Sequence, residues 1–205
     1  VTVLAASDWA TNAEMILDCH RLGYLNDDDV VLDPTWGNGR WWTLWQPKQL
    51  VAHNRDKDGS DFRNLPYPDK HFDAIAYDPP YCCVGGRKTT GIPEFHKAYG
   101  MNDAPSTPRE LQDLINDGLT EMYRLVRHRG LVLCKTMDYV SSGNLWLGTH
   151  YTLEHALDLG FEVQDRFEHV GNPRPQPKRT RKDGKPSVQQ HARRNLSTLF
   201  VLRRV

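Results

Sequence analysis

No apolar run in the chain approaches the ~18 residues a membrane-spanning helix needs, so no transmembrane span is expected. No C-x-x-C pair occurs. The four cysteines are Cys19, Cys82, Cys83 and Cys134, and the adjacent pair has poor geometry for holding one metal ion. Reduced thiols in a cytoplasmic protein, with no metal site, are the expectation. The opening Val1-Thr2-Val3-Leu4 lacks the basic region and apolar stretch of a secretory leader, in line with that location. There is no internal repeat. G-x-G-x-x-G is also missing: after Gly37 and Gly39, position 42 is Trp, which argues against dinucleotide-dependent oxidoreduction. Net charge is zero as well.

That zero conceals an asymmetry. Residues 171–205 hold ten Lys/Arg and one Asp, which leaves 16 basic and 25 acidic side chains in the first 170 residues. A basic segment on an acidic body points to a polyanionic partner, and nucleic acid is the better reading over a merely solvated loop. The 205 residues, 39% hydrophobic and 25% charged, suit a single domain spanning 1–205 with a substantial core.

Along the chain, Thr11-Asn12-Ala13-Glu14 fits a capping box, and Met15, Ile16, Cys19 and Leu22 follow at helical spacing up to Gly23. Val30-Val31-Leu32 reads as a strand buried on both faces. It ends in Asp33-Pro34-Thr35-Trp36-Gly37-Asn38-Gly39, after which Arg40 to Trp45 read as a helix. Strand, Gly-rich turn and helix form the opening unit of a doubly wound sheet, whose ligand sits at the strand's carboxyl end. Gln49 to His53 is a second strand. The acid that follows it in nucleoside-binding sheets bonds ribose hydroxyls; Asp56 is the first choice, with Asp58 and Asn54 close by. Asp61 and Phe62 can bond and flank a purine, although core packing of Phe62 is as good a reading.

The strand Phe72 to Ala76 leads into Tyr77-Asp78-Pro79-Pro80-Tyr81. A carboxylate at a strand end can accept hydrogen bonds from an exocyclic amine. Two prolines fix φ and remove backbone donors, leaving carbonyls free to accept. Tyr81 offers a flat face for a base. Residues 82–107 lack periodicity and are long enough to be functional. Thr107-Pro108-Arg109-Glu110 starts a strong helix. Gly130 to Lys135 is a buried strand, a helix runs from about Leu145 to Leu159, and Phe161 to Phe167 is an outer strand. Segment 171–194, with four prolines, is a loop, and Leu196 to Leu202 is the last strand.

Taken together, these residues resemble the amino-directed DNA methyltransferases, the N6-adenine and N4-cytosine group, in their compact phage and actinobacterial form. Val31 to Gly39 is similar to that family's first motif. Asp61 to Pro66, then Asp78-Pro79-Pro80-Tyr81, resemble its adenine-binding segment and catalytic loop. Ser141-Ser142-Gly143 and Gln190 to Arg194 extend the likeness over almost the whole chain. The resemblance implies a seven-stranded, mostly parallel Rossmann-like sheet with an antiparallel last strand, the class I methyltransferase fold. It implies S-adenosylmethionine as cofactor, held by Asp33, Pro34, Thr35, Gly37, Gly39, Asp56, Asp61 and Phe62. Asp78, Pro79, Pro80 and Tyr81 would be catalytic, with adenine N6 in DNA as acceptor and a role in restriction-modification. Cytosine N4, or an RNA adenine or guanine, is the alternative. Arg87, Lys88, Arg174, Lys178, Arg179, Arg181, Lys182, Arg193 and Arg194 would meet phosphates. A separate target-recognition domain has no room, which puts specificity on residues 82–107, on the basic loop or on a partner. No protein nucleophile is required, so Cys82 and Cys83 are expected to be dispensable.

Overall fold

Alternation along apolar strands builds the centre of the molecule. The structure, a computed structural model, describes residues 4–5, 9–81, 105–171, 191–192 and 194–205, with Asp56 described by its backbone alone. Six strands form one sheet: β1 (Val30–Asp33), β2 (Gln49–Ala52), β3 (Phe72–Tyr77), β4 (Val126–Thr136), β7 (Phe161–Val170) and β8 (Leu196–Arg204). Their order is β2-β1-β3-β4-β8-β7. The first four strands are parallel, and β8 runs antiparallel between β4 and β7.

With a side-chain period of two, each central strand serves both faces. Leu32, Ile75, Tyr77, Val132, Cys134, Phe200 and Leu202 point to one core. Val31, Ala74, Ala76, Leu133, Leu199 and Val201 point to the other. The small Ala74 and Ala76 leave room on that second face for Trp9, Trp41 and Trp42.

Helix α1 (Asn12–Arg21) covers the tryptophan face with Met15, Ile16 and Cys19. Its capping box closes: Thr11 Oγ1 accepts from Glu14 N at 3.2 Å, and Glu14 Oε2 accepts from Thr11 N at 3.3 Å. Helix α3 (Pro108–Leu125) covers the other face with Leu111, Leu114, Ile115, Leu119, Met122 and Leu125. Thr107 caps it, but Glu110 reaches back to Ser106 N and Oγ at 2.8 and 2.9 Å, one residue beyond the expected box. At its far end the Arg204 guanidinium donates to the carbonyls of Tyr123, Arg124 and Val126, where the helix leaves acceptors unpaired. Helix α2 (Arg55–Asp58) is a single turn after β2, and α4 (Gly148–Asp158) joins α3 on its face.

Three expectations need revision. Among the described residues the sheet has six strands, not seven, and β2 is its edge. The stretch between α2 and β3 makes only a tight Asp61–Asn64 bridge in place of a further strand. Arg40 to Trp45 give only a 3-10 turn at Arg40–Trp42, because the indoles of Trp41 and Trp42 turn into the core immediately. The helix expected from about Leu145 begins at Gly148. Before it stands a hairpin, β5 (Tyr139–Ser141) and β6 (Asn144–Trp146), turned by Ser142 at φ 51° and Gly143 at φ 82°.

Candidate active site

The strand order reverses at β1, which has β2 on one side and β3 on the other. In open α/β sheets, ligands bind outside the carboxyl ends of strands at such a switch point. Both acids singled out from the sequence stand there: Asp33 ends β1, and Asp78 follows directly on β3.

Asp33 is buried and clasped on both oxygens. Oδ2 accepts from Trp42 Nε1 at 2.8 Å, and Oδ1 accepts from Thr35 N at 3.0 Å. Burial pushes its carboxyl up to about 7. The Trp42 and Thr35 bonds oppose that rise, and the neighbouring Asp78 charge adds to it. Thr35 then bridges the two loops, its Oγ1 accepting from Asp78 N at 3.0 Å. Gly37 and Gly39 take left-handed φ of 52° and 67°. A Cβ on Gly39 would stand 2.5 Å from the Trp36 ring, so Trp36 folds flat over the turn only because 39 is glycine. At Gly37 the nearest atom to an added Cβ is Thr35 O at 3.7 Å, so the backbone is open to close approach. Asn54 Nδ2 donates to Gly37 O at 3.0 Å and ties the turn to the end of β2.

Of the residues weighed after β2, Asp58 is engaged locally. Its carboxyl is held well below the usual carboxylate range, because bonds from Ser60, Asn54 and His53 outweigh its desolvation. Asp61 is gripped by Arg63, whose Nη2 donates to Oδ2 at 2.6 Å and whose Nε donates to Oδ1 at 3.0 Å. That grip lowers its carboxyl below the ordinary value. Phe62 meets Tyr77 edge-on, with ring centroids 5.7 Å apart. A shallow open cleft of about 460 Å³ adjoins this segment, lined by Asp61, Arg63, Asn64, Asp117 and Thr120. Asp78 is not among its lining residues. The whole segment is pinned to α3 by buried Glu121, which accepts from Leu65 N at 2.8 Å, and by Arg124, which donates to Glu121, Asp69 and the carbonyls of Leu65 and Tyr67.

Around Asp78 the structure gathers residues the sequence reading passed over. Pro79 and Pro80 are buried and Tyr81 is half-buried. Asp78 keeps some exposure as a residue, yet its Oδ1 is shielded and has no hydrogen-bond partner among the described residues; the same holds for Trp41 Nε1. Burial raises the Asp78 carboxyl, while the Lys135 charge and the nearby Trp41 indole N–H lower it. Lys135, only 6% exposed, donates to Asn12 Oδ1 at 3.0 Å. Its ammonium lies 6.0 Å from the centre of the Trp41 ring and 5.9 Å from that of Tyr81, at the outer reach of cation–π attraction. The signal for it was present: a lysine inside the apolar run of β4 is buried only with partners.

Of the basic residues expected to meet phosphates, Arg194 is exposed. Arg87, Lys88, Arg174, Lys178, Arg179, Arg181, Lys182 and Arg193 lie outside the described residues, as do Cys82 and Cys83. Cys19 and Cys134 are buried free thiols, and burial raises both. No helix among the described residues is long and apolar enough to cross a membrane, and no cluster there could hold a metal ion.

No family profile matches the sequence, and no curated protein matches it. Solved structures do. The MccD protein aligns over 93% of this chain and 96% of its own at 11% identity, with a TM-score of 0.53. A candidate methyltransferase from Bacillus halodurans C-125 aligns over 93% and 98% at 12% identity, TM-score 0.49. A candidate DNA modification methylase from Thermus thermophilus, crystallised with S-adenosyl-L-methionine, aligns over 71% and 53% at 15% identity, TM-score 0.44. This chain therefore spans about half the length of the Thermus protein. The likeness to MccD concerns the fold alone, and the strand order with β8 antiparallel between β4 and β7 is that of the expected α/β, doubly wound, mostly parallel Rossmann-like sheet.

Proposed function

We propose that the protein transfers a methyl group from S-adenosylmethionine to the exocyclic N6 of adenine in DNA. The observation that carries this reading is the join between the two loops at the switch point. Thr35, in the glycine turn of β1, holds the backbone of Asp78, in the Asp-Pro-Pro-Tyr loop of β3. The two loops that would serve as cofactor turn and acceptor loop are thus neighbours, which supports this reading.

The residues present fit the cofactor. The open backbone at Gly37, the acids and amide after β2, and Asp61 with Phe62 are the groups that would hold it. When bound, S-adenosylmethionine supplies an electrophilic methyl carbon on a sulfonium. Everything else falls to the protein. An aromatic amino group is a poor nucleophile because its lone pair is delocalised into the ring. Asp78 and the Pro79 carbonyl, accepting its hydrogens, would favour the pyramidal nitrogen needed for attack. Positioning and fixed dipoles supply most of the acceleration, and no residue need become covalently modified. In a duplex the base must leave the stack, and Tyr81 would then receive its face. The basic segment 171–194 would track the phosphates.

Transfer of labelled methyl groups to duplex DNA, compared with structured RNA, tests this. The reading expects label in DNA, in N6-methyladenine. Label confined to RNA, or to N4-methylcytosine, would replace adenine in DNA as the acceptor.

A further inference from the structure

On the acceptor role proposed above for Asp78, we propose that Lys135 is a positioning residue of the same site. Its ammonium, fixed between Asn12 and the rings of Trp41 and Tyr81, is the buried counter-charge of the Asp78 carboxylate.

Strand register places it there. Tyr77 on β3 pairs with Cys134 on β4, and both side chains face the α3 core. One residue further along each strand the chain reaches Asp78 and Lys135, which by the period of two belong to the opposite, tryptophan face. The Lys135 ammonium is found there, beside Trp41. Asn12, in the first turn of α1, takes one of its hydrogens and stops the head from swinging out to solvent.

The charges around Asp78 make this lysine matter. Asp33, in the neighbouring loop, is raised by burial and in part by the charge of Asp78, and Cys134 is a buried thiol that burial also raises. His169, on β7, is pushed below the ordinary histidine range by burial and then by the charge of Lys135, so it stays neutral and adds no cation. Among the described residues, Lys135 supplies the positive charge that opposes the rise of the Asp78 carboxyl. Without that cation, a shielded carboxylate with an unpartnered oxygen holds its proton to higher pH. A proton on Asp78 turns an acceptor into a donor and removes its grip on an amine.

The test uses the full chain with its aspartates labelled at the carboxyl carbon. The Asp78 resonance is identified by its loss in D78N. In K135M the Asp78 titration midpoint is expected to rise by about one pH unit or more, a tenfold drop in its acid dissociation constant. The acid limb of kcat/KM for methyl transfer should move up by the same amount, so that activity recovers at higher pH, and K135R should restore both. K135Q carries the same expectation and replaces K135M if that variant does not fold. Because the ammonium is buried, the salt dependence of DNA binding should not change. An unmoved Asp78 midpoint in a folded variant, or a reduced salt slope, would overturn the proposal. A wild-type protein inactive on DNA would count instead against the function proposed above, since the Asp78 titration decides the pairing without any methyl transfer.

Discussion

Asp33 and Asp78 are two acids in neighbouring loops whose surroundings give them different work. Asp33 is turned inward as the clasp of the glycine turn. An unfolded chain releases its proton near the ordinary 3.8, the folded chain near 7. Between those values the native state holds the extra proton, so this group's stabilisation is complete below about pH 4 and is lost as pH rises through 7. The span is on the order of 4 kcal/mol. Denaturant midpoints at pH 5 and pH 8 should therefore differ less in D33N than in the wild type; an equal difference would mean that Asp33 titrates normally. Asp78, in the function proposed above, is the acid that would meet the acceptor amine. D78A should lower methyl transfer at least ~100-fold and leave cofactor affinity nearly unchanged, as measured by calorimetry. Y81A should cost roughly 10- to 100-fold, and Y81F and Y81W much less; equal losses in all three would argue against stacking. The acids and the tyrosine could be read from the sequence because each stands where an apolar strand ends. Trp41, Trp42 and Asn12 could not, because their partners are 9 to 123 residues away and only folding brings them together.

The elements that set these residues in place rest on close approaches. Gly118, in the middle of α3, lets Tyr77 and Phe62 lie against the helix; a Cβ there would sit 2.1 Å from the Tyr77 hydroxyl and 2.7 Å from the Phe62 ring. That hydroxyl donates to Ile115 O at 2.9 Å inside the core. G118A should cost roughly 1–3 kcal/mol from overpacking, despite alanine's better helix propensity, and thermal unfolding would show it as a lowered Tm. The central strands and helices α1 and α3 were legible because buried parallel strands are continuous apolar runs and both helices carry capping residues. The β5–β6 hairpin was not, since Tyr139 to Trp146 is short and only its Ser142-Gly143 turn marks it. The 3-10 turn after Gly39 was read as a helix because two adjacent tryptophans give no periodicity to contradict one.

Across the whole molecule, charge and fold divide the labour. Asp33, Asp78 and Lys135, the one buried lysine among the described residues, lie in or directly after the sheet strands, while basic residues are denser beyond residue 171. Neutralising Arg179, Arg181 and Lys182 together should reduce the slope of log binding constant against log salt by up to about 3. An unchanged slope would mean that this segment points away from the polymer. Fold class was readable from strand–turn–helix order alone. The acceptor was not, because a doubly wound sheet is shared by many activities and leaves the choice of acceptor to surface loops. Adenine N6 in DNA is the acceptor proposed for this protein. Expressing the protein in a host lacking DNA methylation, followed by modification-aware sequencing of that host's DNA, tests it most directly. The account predicts N6-methyladenine in a defined sequence context that disappears with D78A. Unmodified adenine in DNA from cells making the folded wild-type protein would contradict it.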